Sequence, residues 1–257
     1  MNDDQHRLYK DRWYQNTILK ARQKGFSTLV AIFMLDCCLF DTNVSCGIID
    51  ITLDDAVAKL NKIRFAYERI PRAIRDLITL NTNNSYEMTF ANGSNISVGT
   101  SHRGGTLQIL HISEYGKICA KFPERAREIR TGALNTIQSG QLVFVESTAE
   151  GQEGGFYSIC QAAQAKQRLS TPLTPLDFKF HFFPWWTSHE YSLDVEGVRE
   201  RCPNERISFT PYHLWLLSSS DFFRTTITQS YRMQVTHGQQ RARVENALQP
   251  CWRASVT

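Results

Sequence analysis

The stretch Thr17-Ile18-Leu19-Lys20-Ala21-Arg22-Gln23-Lys24-Gly25-Phe26-Ser27-Thr28 decides how this chain is read. Thr17 to Ala21 is a short apolar strand signal, and Ser27 to Phe40, behind the polar turn, is long enough for a helix. A strand, a basic glycine-bearing turn and a helix in that order suit a phosphate. They offer free backbone N–H groups at a helix N-terminus, a glycine that permits close approach, a cation for the outer phosphates and a hydroxyl for Mg²⁺. Gly25, Arg22 or Lys24, and Ser27 can fill those roles. Against the pattern G-x-x-x-x-G-K-[ST], Lys20 stands at the first glycine and Phe26 at the lysine. From this segment alone, a basic surface turn opening an ordinary helix reads the same way.

Working outward, strand and helix signals alternate from Asn16 to Phe183, the pattern of a mainly parallel sheet covered by helices. Cys46 to Thr52 reads as a second strand. Asp54 and Asp55 then suit a helix N-terminus, and Ala56 to Tyr67 carries apolar residues at helical spacing. Pro71 marks the exit of that helix or the start of another. Tyr86 to Phe90 and Asn95 to Gly99 alternate with a period of two about Asn92-Gly93, which predicts a hairpin as an antiparallel embellishment. Leu107 to Ile112 and Gln141 to Val145 read as buried strands, Glu124 to Ile137 and Phe156 to Leu169 as helices, and Leu176 to Phe183 as one more strand.

Two strand ends carry candidate chemistry. Leu107-Gln108-Ile109-Leu110-His111-Ile112-Ser113-Glu114 ends in a carboxylate, and strand ends in an open α/β sheet face the ligand crevice. Glu114 is therefore placed to orient and activate water for in-line attack on a γ-phosphate, with Ser113 where a magnesium-shell aspartate is usual. An acidic cap after a strand is the plainer reading. Val143-Phe144-Val145-Glu146-Ser147-Thr148-Ala149-Glu150-Gly151 is likewise a buried strand running into polar residues. Its hydroxyls and carboxylate suit γ-phosphate sensing, and a solvated turn is equally consistent with it.

Composition sets the bounds. At 257 residues, 42% apolar and 21% charged, the chain can bury enough surface to offset its ordering entropy, so wholesale disorder is excluded. The longest apolar run, Leu29 to Phe40, includes Asp36 and is shorter than the roughly 20 residues needed to span a bilayer, so no membrane partner is expected. Asn2, Asp3, Asp4 and Gln5 come before any apolar residue after Met1, the wrong order for a signal peptide, which leads to an expectation of a cytoplasmic protein. Seven cysteines with no C-x-x-C pair read as buried thiols rather than a disulfide or zinc framework. A net charge of +4 permits a polyanionic partner without requiring one. No lysine follows Lys179, and from about Arg199 the periodic pattern fades.

Taken together, the segment Leu19 to Thr28, Val98-Gly99-Thr100-Ser101-His102-Arg103-Gly104-Gly105-Thr106, His111-Ile112-Ser113-Glu114-Tyr115-Gly116-Lys117 and Glu146-Ser147-Thr148-Ala149-Glu150-Gly151 resemble the ATPase domain of the large terminase subunit of tailed phages. The likeness continues through Phe180-His181-Phe182-Phe183-Pro184-Trp185-Trp186 and covers roughly residues 5 to 197. It implies a three-layer α/β P-loop ATPase of the additional-strand, RecA-like class, with a mainly parallel sheet and a hairpin insertion. Members of the family are ATP-driven motors that package viral DNA into a preformed capsid. The implied cofactors are ATP and Mg²⁺. The implied partners are double-stranded DNA without sequence preference, a small terminase subunit, a portal protein and further copies of the chain in a ring.

Residue by residue, the resemblance places Arg22, Gln23, Lys24, Gly25, Phe26, Ser27 and Thr28 in the phosphate loop and makes Glu114 the catalytic carboxylate. Ser147-Thr148-Ala149 becomes the coupling motif. Gln5 lies where the family has an adenine-reading glutamine, and Arg103 is a candidate charge sensor or DNA contact. The cation is open among Lys20, Arg22 and Lys24, with Arg22 preferred because a planar fork grips phosphate oxygens in pairs. With Ser113 in place of an aspartate, Mg²⁺ would rest on Ser27, the nucleotide and waters. Lys117, Lys121, Arg125, Arg127 and Arg130 form a basic stretch, readable as a DNA contact or as a solvated helix face. Nothing after Val198 resembles the family's nuclease domain, so residues 198–257 are expected to be a non-native tail of a truncated or frameshifted product. An inactive prophage remnant and a helicase-like P-loop ATPase are the alternatives.

Overall fold

In the computed structural model, which describes residues 1–102, 105–134 and 140–187, the chain opens with helix α1 (Asp3–Asp11) and strand β1 (Gln15–Lys20). There follow α2 (Phe26–Phe40), β2 (Ser45–Ile49), α3 (Leu53–Glu68), the short α4 (Arg72–Arg75), β3 (Leu80–Asn83), β4 (Glu87–Phe90) and β5 (Asn95–Gly99). The second half holds β6 (Ile109–Ile112), α5 (Tyr115–Lys121), α6 (Pro123–Ile129), β7 (Leu142–Ser147), α7 (Gly154–Arg168) and β8 (Phe178–Phe183). The expected tail, residues 198–257, and the expected domain boundary at 197 lie outside the described residues.

The eight strands form one sheet in the order β3-β4-β5-β2-β6-β7-β1-β8. β5, β2, β6, β7, β1 and β8 pair parallel to one another, and β4 runs antiparallel to both β5 and β3. Central parallel strands are covered on both faces, which explains why β6 and most of β7 are buried along their length rather than alternating. Side chains on β1 show the two layers: Ile18 joins the core under α2 and α3, while Thr17 meets Cys160 of α7 on the other face. This is the expected α/β sandwich of three layers.

Local chemistry explains the helices. α2 is apolar nearly all round, as suits a helix wedged between the sheet and its neighbours, and it buries Phe26, Val30, Met34, Leu35 and Cys38. α3 begins where the Thr52 hydroxyl accepts the Asp55 backbone N–H, with Asp54 and Asp55 in its first turn, and buries Ala56, Leu60, Ile63 and Tyr67 along one stripe. Pro71 caps α4, one of the two places expected for it.

The hairpin expected about Asn92-Gly93 is β4–β5, and Gly93 takes the left-handed φ of +83° that the turn requires. It is more than an embellishment, because β5 pairs in parallel with β2 and so joins the hairpin to the main sheet. β3, an edge strand, had no signal strong enough to be read. The helix expected over Glu124–Ile137 begins at Pro123, passes into a π-helical turn at Arg130–Leu134 and then leaves the described residues. α5 precedes it, and α1 is a further helix not anticipated. Cys38, Cys46 and Cys160 are buried free thiols, as expected, Cys37 and Cys119 are free but only half-buried, and Cys202 and Cys251 lie outside the described residues. Among the described residues no helix is long and apolar enough to cross a membrane.

Candidate active site at the carboxyl rim of the sheet

The basic turn leaves β1 at Lys20, and Gln23 and Gly25 both take left-handed backbone angles, φ +56° and +73°. Gly25 precedes the first turn of α2, which has no side-chain cap. The first amides of a fifteen-residue helix therefore present their partial positive charge to the rim. The left-handed angle favours glycine at 25, and a Cβ there would lie 2.5 Å from Gln5 Nε2 and so displace that amide from the Gly25 carbonyl.

The loop is shaped from behind by α1. The Gln5 amide donates to the Gly25 carbonyl at 2.8 Å, the Asn2 amide donates to the Lys24 carbonyl at 3.3 Å, and the Lys24 ammonium donates to Asp4 at 2.7 Å. Asn2 and Gln5 also close a reciprocal capping box on α1. Gln5, the expected adenine reader, holds the Gly25 carbonyl through its amide N–H in this structure. Lys24 is 1% exposed and its ammonium turns toward Asp4 of α1. Phe26, at the position of the patterned lysine, is buried against Phe183 of β8 with ring centroids 4.4 Å apart. Arg22 and Thr28 are exposed at the loop and at the first turn of α2.

The strand order brings the other candidates alongside. β7 lies between β6 and β1, so Ser113 and Glu114 after β6, Glu146 on β7 and Lys20 on β1 end at the same rim. Lys20 Nζ stands 3.1 Å from Glu114 Oε1 and 3.9 Å from Glu146 Oε2. Lys117 on the first turn of α5 reaches Glu114 Oε2 at 2.8 Å, and the Thr148 hydroxyl lies 3.5 Å from the same oxygen. Glu114 itself adopts φ +52°, a left-handed angle that is unfavourable for a residue with a side chain and that turns the chain sharply from β6 into α5. Burial pushes the Glu114 carboxyl up, but Lys20 and Lys117 outweigh it and hold the pKa below its ordinary value. The group is an ionised carboxylate at neutral pH.

Glu146 is buried completely. Its Oε1 accepts from the Ser27 hydroxyl, lies 3.1 Å from His111 Nε2 and lies 3.4 Å from the Ser113 hydroxyl. Burial raises its pKa, yet the His111 hydrogen bond, the Lys20 charge and the Ser27 hydroxyl together bring it down to about 2. Ser147, expected beside Thr148 in a coupling role, points elsewhere: its hydroxyl is buried without a hydrogen-bond partner, and a Cβ added at Gly116 of α5 would come within 2.7 Å of it.

The structure thus gathers Lys20, Ser27, Ser113, Glu114 and Thr148 at one rim, puts the uncapped helix end and Gly25 beside them, and takes Lys24 and Gln5 into the support of the loop. Arg103 lies outside the described residues. The sequence assigns Lys117 no role beyond the basic stretch, and it assigns none to Asp4 or His111. The i, i+3 spacing of Glu114 and Lys117 on a helix start was the available signal for the first. The basic stretch otherwise behaves as a helix face: Arg127 pairs with Glu124 at 3.8 Å in solvent, and Arg125 bonds the Ile51 carbonyl at 2.8 Å while stacking over Phe122.

A nucleotide triphosphate fits this donor set, since an uncapped helix N-terminus and a lysine are matched to phosphate oxygens. Mg²⁺ fits it less completely. Among the described residues no group of three or more His, Cys, Asp or Glu side chains forms a metal cage; the expected ligands Ser27 and Ser113 both turn their hydroxyls to Glu146, and the remaining positions would fall to phosphate and water.

No protein-family model and no curated protein matches the chain. Solved structures with a similar fold do. The ATPase domain of the large terminase of Thermus phage P74-26 is 15% identical, with a TM-score of 0.53 over 87% of this chain and 91% of that one. The large terminase of bacteriophage HK97 is 13% identical, with a TM-score of 0.51 over 71% of this chain and 39% of that one. The large terminase of a thermophilic bacteriophage is 8% identical, with a TM-score of 0.52 over 80% of this chain and 50% of that one. The chain has the fold of a phage large-terminase ATPase domain, and it spans half or less of the last two proteins.

Proposed function

We propose, with that fold as the premise, that the chain is an ATP-hydrolysing motor domain of the DNA-packaging type. The observation that carries this reading is the meeting of Lys20, from the strand before the phosphate loop, with Glu114 at 3.1 Å on the rim beside the uncapped end of α2. The α2 amides and Gly25 would cradle the phosphates, and Lys20 and Arg22 would supply the positive charge, Lys24 being held by Asp4. Glu114, ionised, would hold the attacking water and take its proton, and the Thr148 hydroxyl beside it would report whether a γ-phosphate is present. Mg²⁺ bound to Ser27 and the phosphates would offset charge on the oxygens as the terminal bond breaks. Duplex DNA would be held through its phosphates, with salt-sensitive and sequence-independent affinity. A small terminase subunit, a portal protein and a homo-oligomeric ring are the partners such a motor would use.

Steady-state ATP turnover by the purified chain, with and without duplex DNA, tests the proposal against Glu114→Gln. The variant keeps the shape of the side chain and removes its charge, so turnover should fall by roughly 10²- to 10⁴-fold, the usual worth of a positioned general base. Nucleotide affinity should hold or tighten as a negative charge leaves the rim. Full turnover in Glu114→Gln would end the catalytic assignment. Binding of ATP without turnover in the parent chain would favour the alternative of an inactive nucleotide-binding remnant, for which the two lysines on Glu114 are the supporting feature.

A further inference from the structure

Glu146 is a carboxylate that the ATPase reading leaves without a task. A magnesium site built on a serine hydroxyl needs an anion behind that hydroxyl, because a hydroxyl whose proton is held by an acceptor turns its lone pairs to the metal. The residue before Glu114 on β6 is the place from which such an anion would come, and it is Ser113. β7 offers a substitute one strand nearer the loop. Ile112 pairs with Val145, so Ser113 and Glu146 stand side by side at the rim. The longer glutamate side chain reaches Ser27, the residue its position needs to touch.

We propose that Glu146 is the positioning residue for magnesium, replacing from β7 the strand-end aspartate absent from β6; this rests on the ATP reading of the same site. Its Oε1 accepts a hydrogen bond from the Ser27 hydroxyl, and His111 Nε2 at 3.1 Å and the Ser113 hydroxyl at 3.4 Å fix the carboxylate from the side. Oε2 is buried, has no hydrogen-bond partner and stands 3.9 Å from Lys20 Nζ, so the lysine charge steadies the far side of the carboxylate while Oε1 faces Ser27. Complete burial keeps Glu146 behind Ser27 rather than in the metal's own coordination shell. The same burial that makes a lone carboxylate costly makes this one rigid, which is what an orienting group requires.

The experiment is calorimetric titration of the full chain with ADP, once with Mg²⁺ and once with EDTA. In the parent chain Mg²⁺ should tighten ADP by about tenfold or more, within the 10- to 100-fold range that an outer-shell partner commands. Glu146→Gln should reduce that gain to less than about twofold while leaving the EDTA affinity within about threefold. Ser113→Asp added to Glu146→Gln should restore the gain by returning the anion to β6. Glu146→Asp, which keeps the buried charge and the fold but withdraws it from Ser27, should lose part of the gain and serves if the glutamine variant does not fold.

An undiminished magnesium gain in Glu146→Gln, or in Glu146→Asp where the glutamine variant does not fold, overturns the proposal. So does an equal loss of affinity with and without Mg²⁺, which would mark Glu146 as a purely structural ion-pair member. A parent chain that binds no ADP in either buffer overturns the ATP reading itself, a result distinguishable from both.

Discussion

Gly116, on the first turn of α5, is the point where the geometry of Glu114 and of the β7 end can be perturbed without substituting either. A Cβ built there would lie 2.7 Å from Ser147 Oγ, 3.2 Å from the Thr148 carbonyl oxygen and 3.3 Å from Ser147 Cβ. Two effects compete in Gly116→Ala. Alanine favours a helix interior over glycine by about 1 kcal/mol, while forcing a methyl into a filled space costs about 1–3 kcal/mol. Contact with a buried hydroxyl and a backbone carbonyl, not with the loose end of a long side chain, makes the second effect win, for a net loss of about 1–2 kcal/mol and a fall in Tm of about 3–6 °C.

Ser147→Ala removes the nearest atom. It also removes a buried hydroxyl that has no partner, so alone it should be neutral or stabilising by up to about 1 kcal/mol. In the double variant the clash relaxes to the two contacts beyond 3 Å, and the pair should show a coupling of at least about 1 kcal/mol. Thermal and denaturant unfolding of the four chains measures this, and ATP turnover should stay within about twofold in Ser147→Ala while falling in Thr148→Val. Additive effects of Gly116→Ala and Ser147→Ala would refute the packing argument. Turnover lost in Ser147→Ala at unchanged Tm would refute the division of labour between the two hydroxyls.

Lys117→Met removes one of the two cations that depress the Glu114 pKa, so the acidic limb of the turnover–pH profile should move to higher pH; an unmoved limb would detach Glu114 from that ionisation. His181 is held at about pKa 4 by burial, against an ordinary 6.5, with Asp11 opposing the shift and Lys179 and Arg7 adding to it. As pH falls from 6.5 to 4 the unfolded chain takes up a proton that the folded chain refuses, so stability declines across that window, by about 3 kcal/mol in full. His181→Gln should flatten that decline in denaturant unfolding measured from pH 7 to 4. Cys38, Cys46 and Cys160 are buried, and burial pushes the Cys160 thiol to about 11, so peptide mapping after a bulky thiol reagent at pH 8 should find all three unmodified until denaturant is added.

The central strands and the three strand-end motifs were legible because a parallel sheet covered on both faces leaves continuous apolar runs that stop at the rim. α1 was not legible by that route. Its only buried residues are Asp4 and Leu8, and it docks through Asn2, Asp4 and Gln5 rather than through an apolar stripe. The sign was present in the capping pair Asn2 and Gln5, whose meaning depends on a helix following. α5 escaped because it is seven residues long and has glycine in its first turn. That Lys24 turns to Asp4, twenty residues before it, is a long-range contact that no local pattern contains. The link from Glu146 to Ser27 depends in the same way on strand order, which puts β7 between β6 and β1.

The brace between α1 and the turn after β1 ties that helix mechanically to the candidate site. A force on the first residues reaches the carbonyls of Lys24 and Gly25 through Asn2 and Gln5, with no sheet or core helix in between. Whatever grips or displaces α1 therefore tugs the proposed nucleotide cradle directly, and an affinity handle is better attached at a distance from that helix.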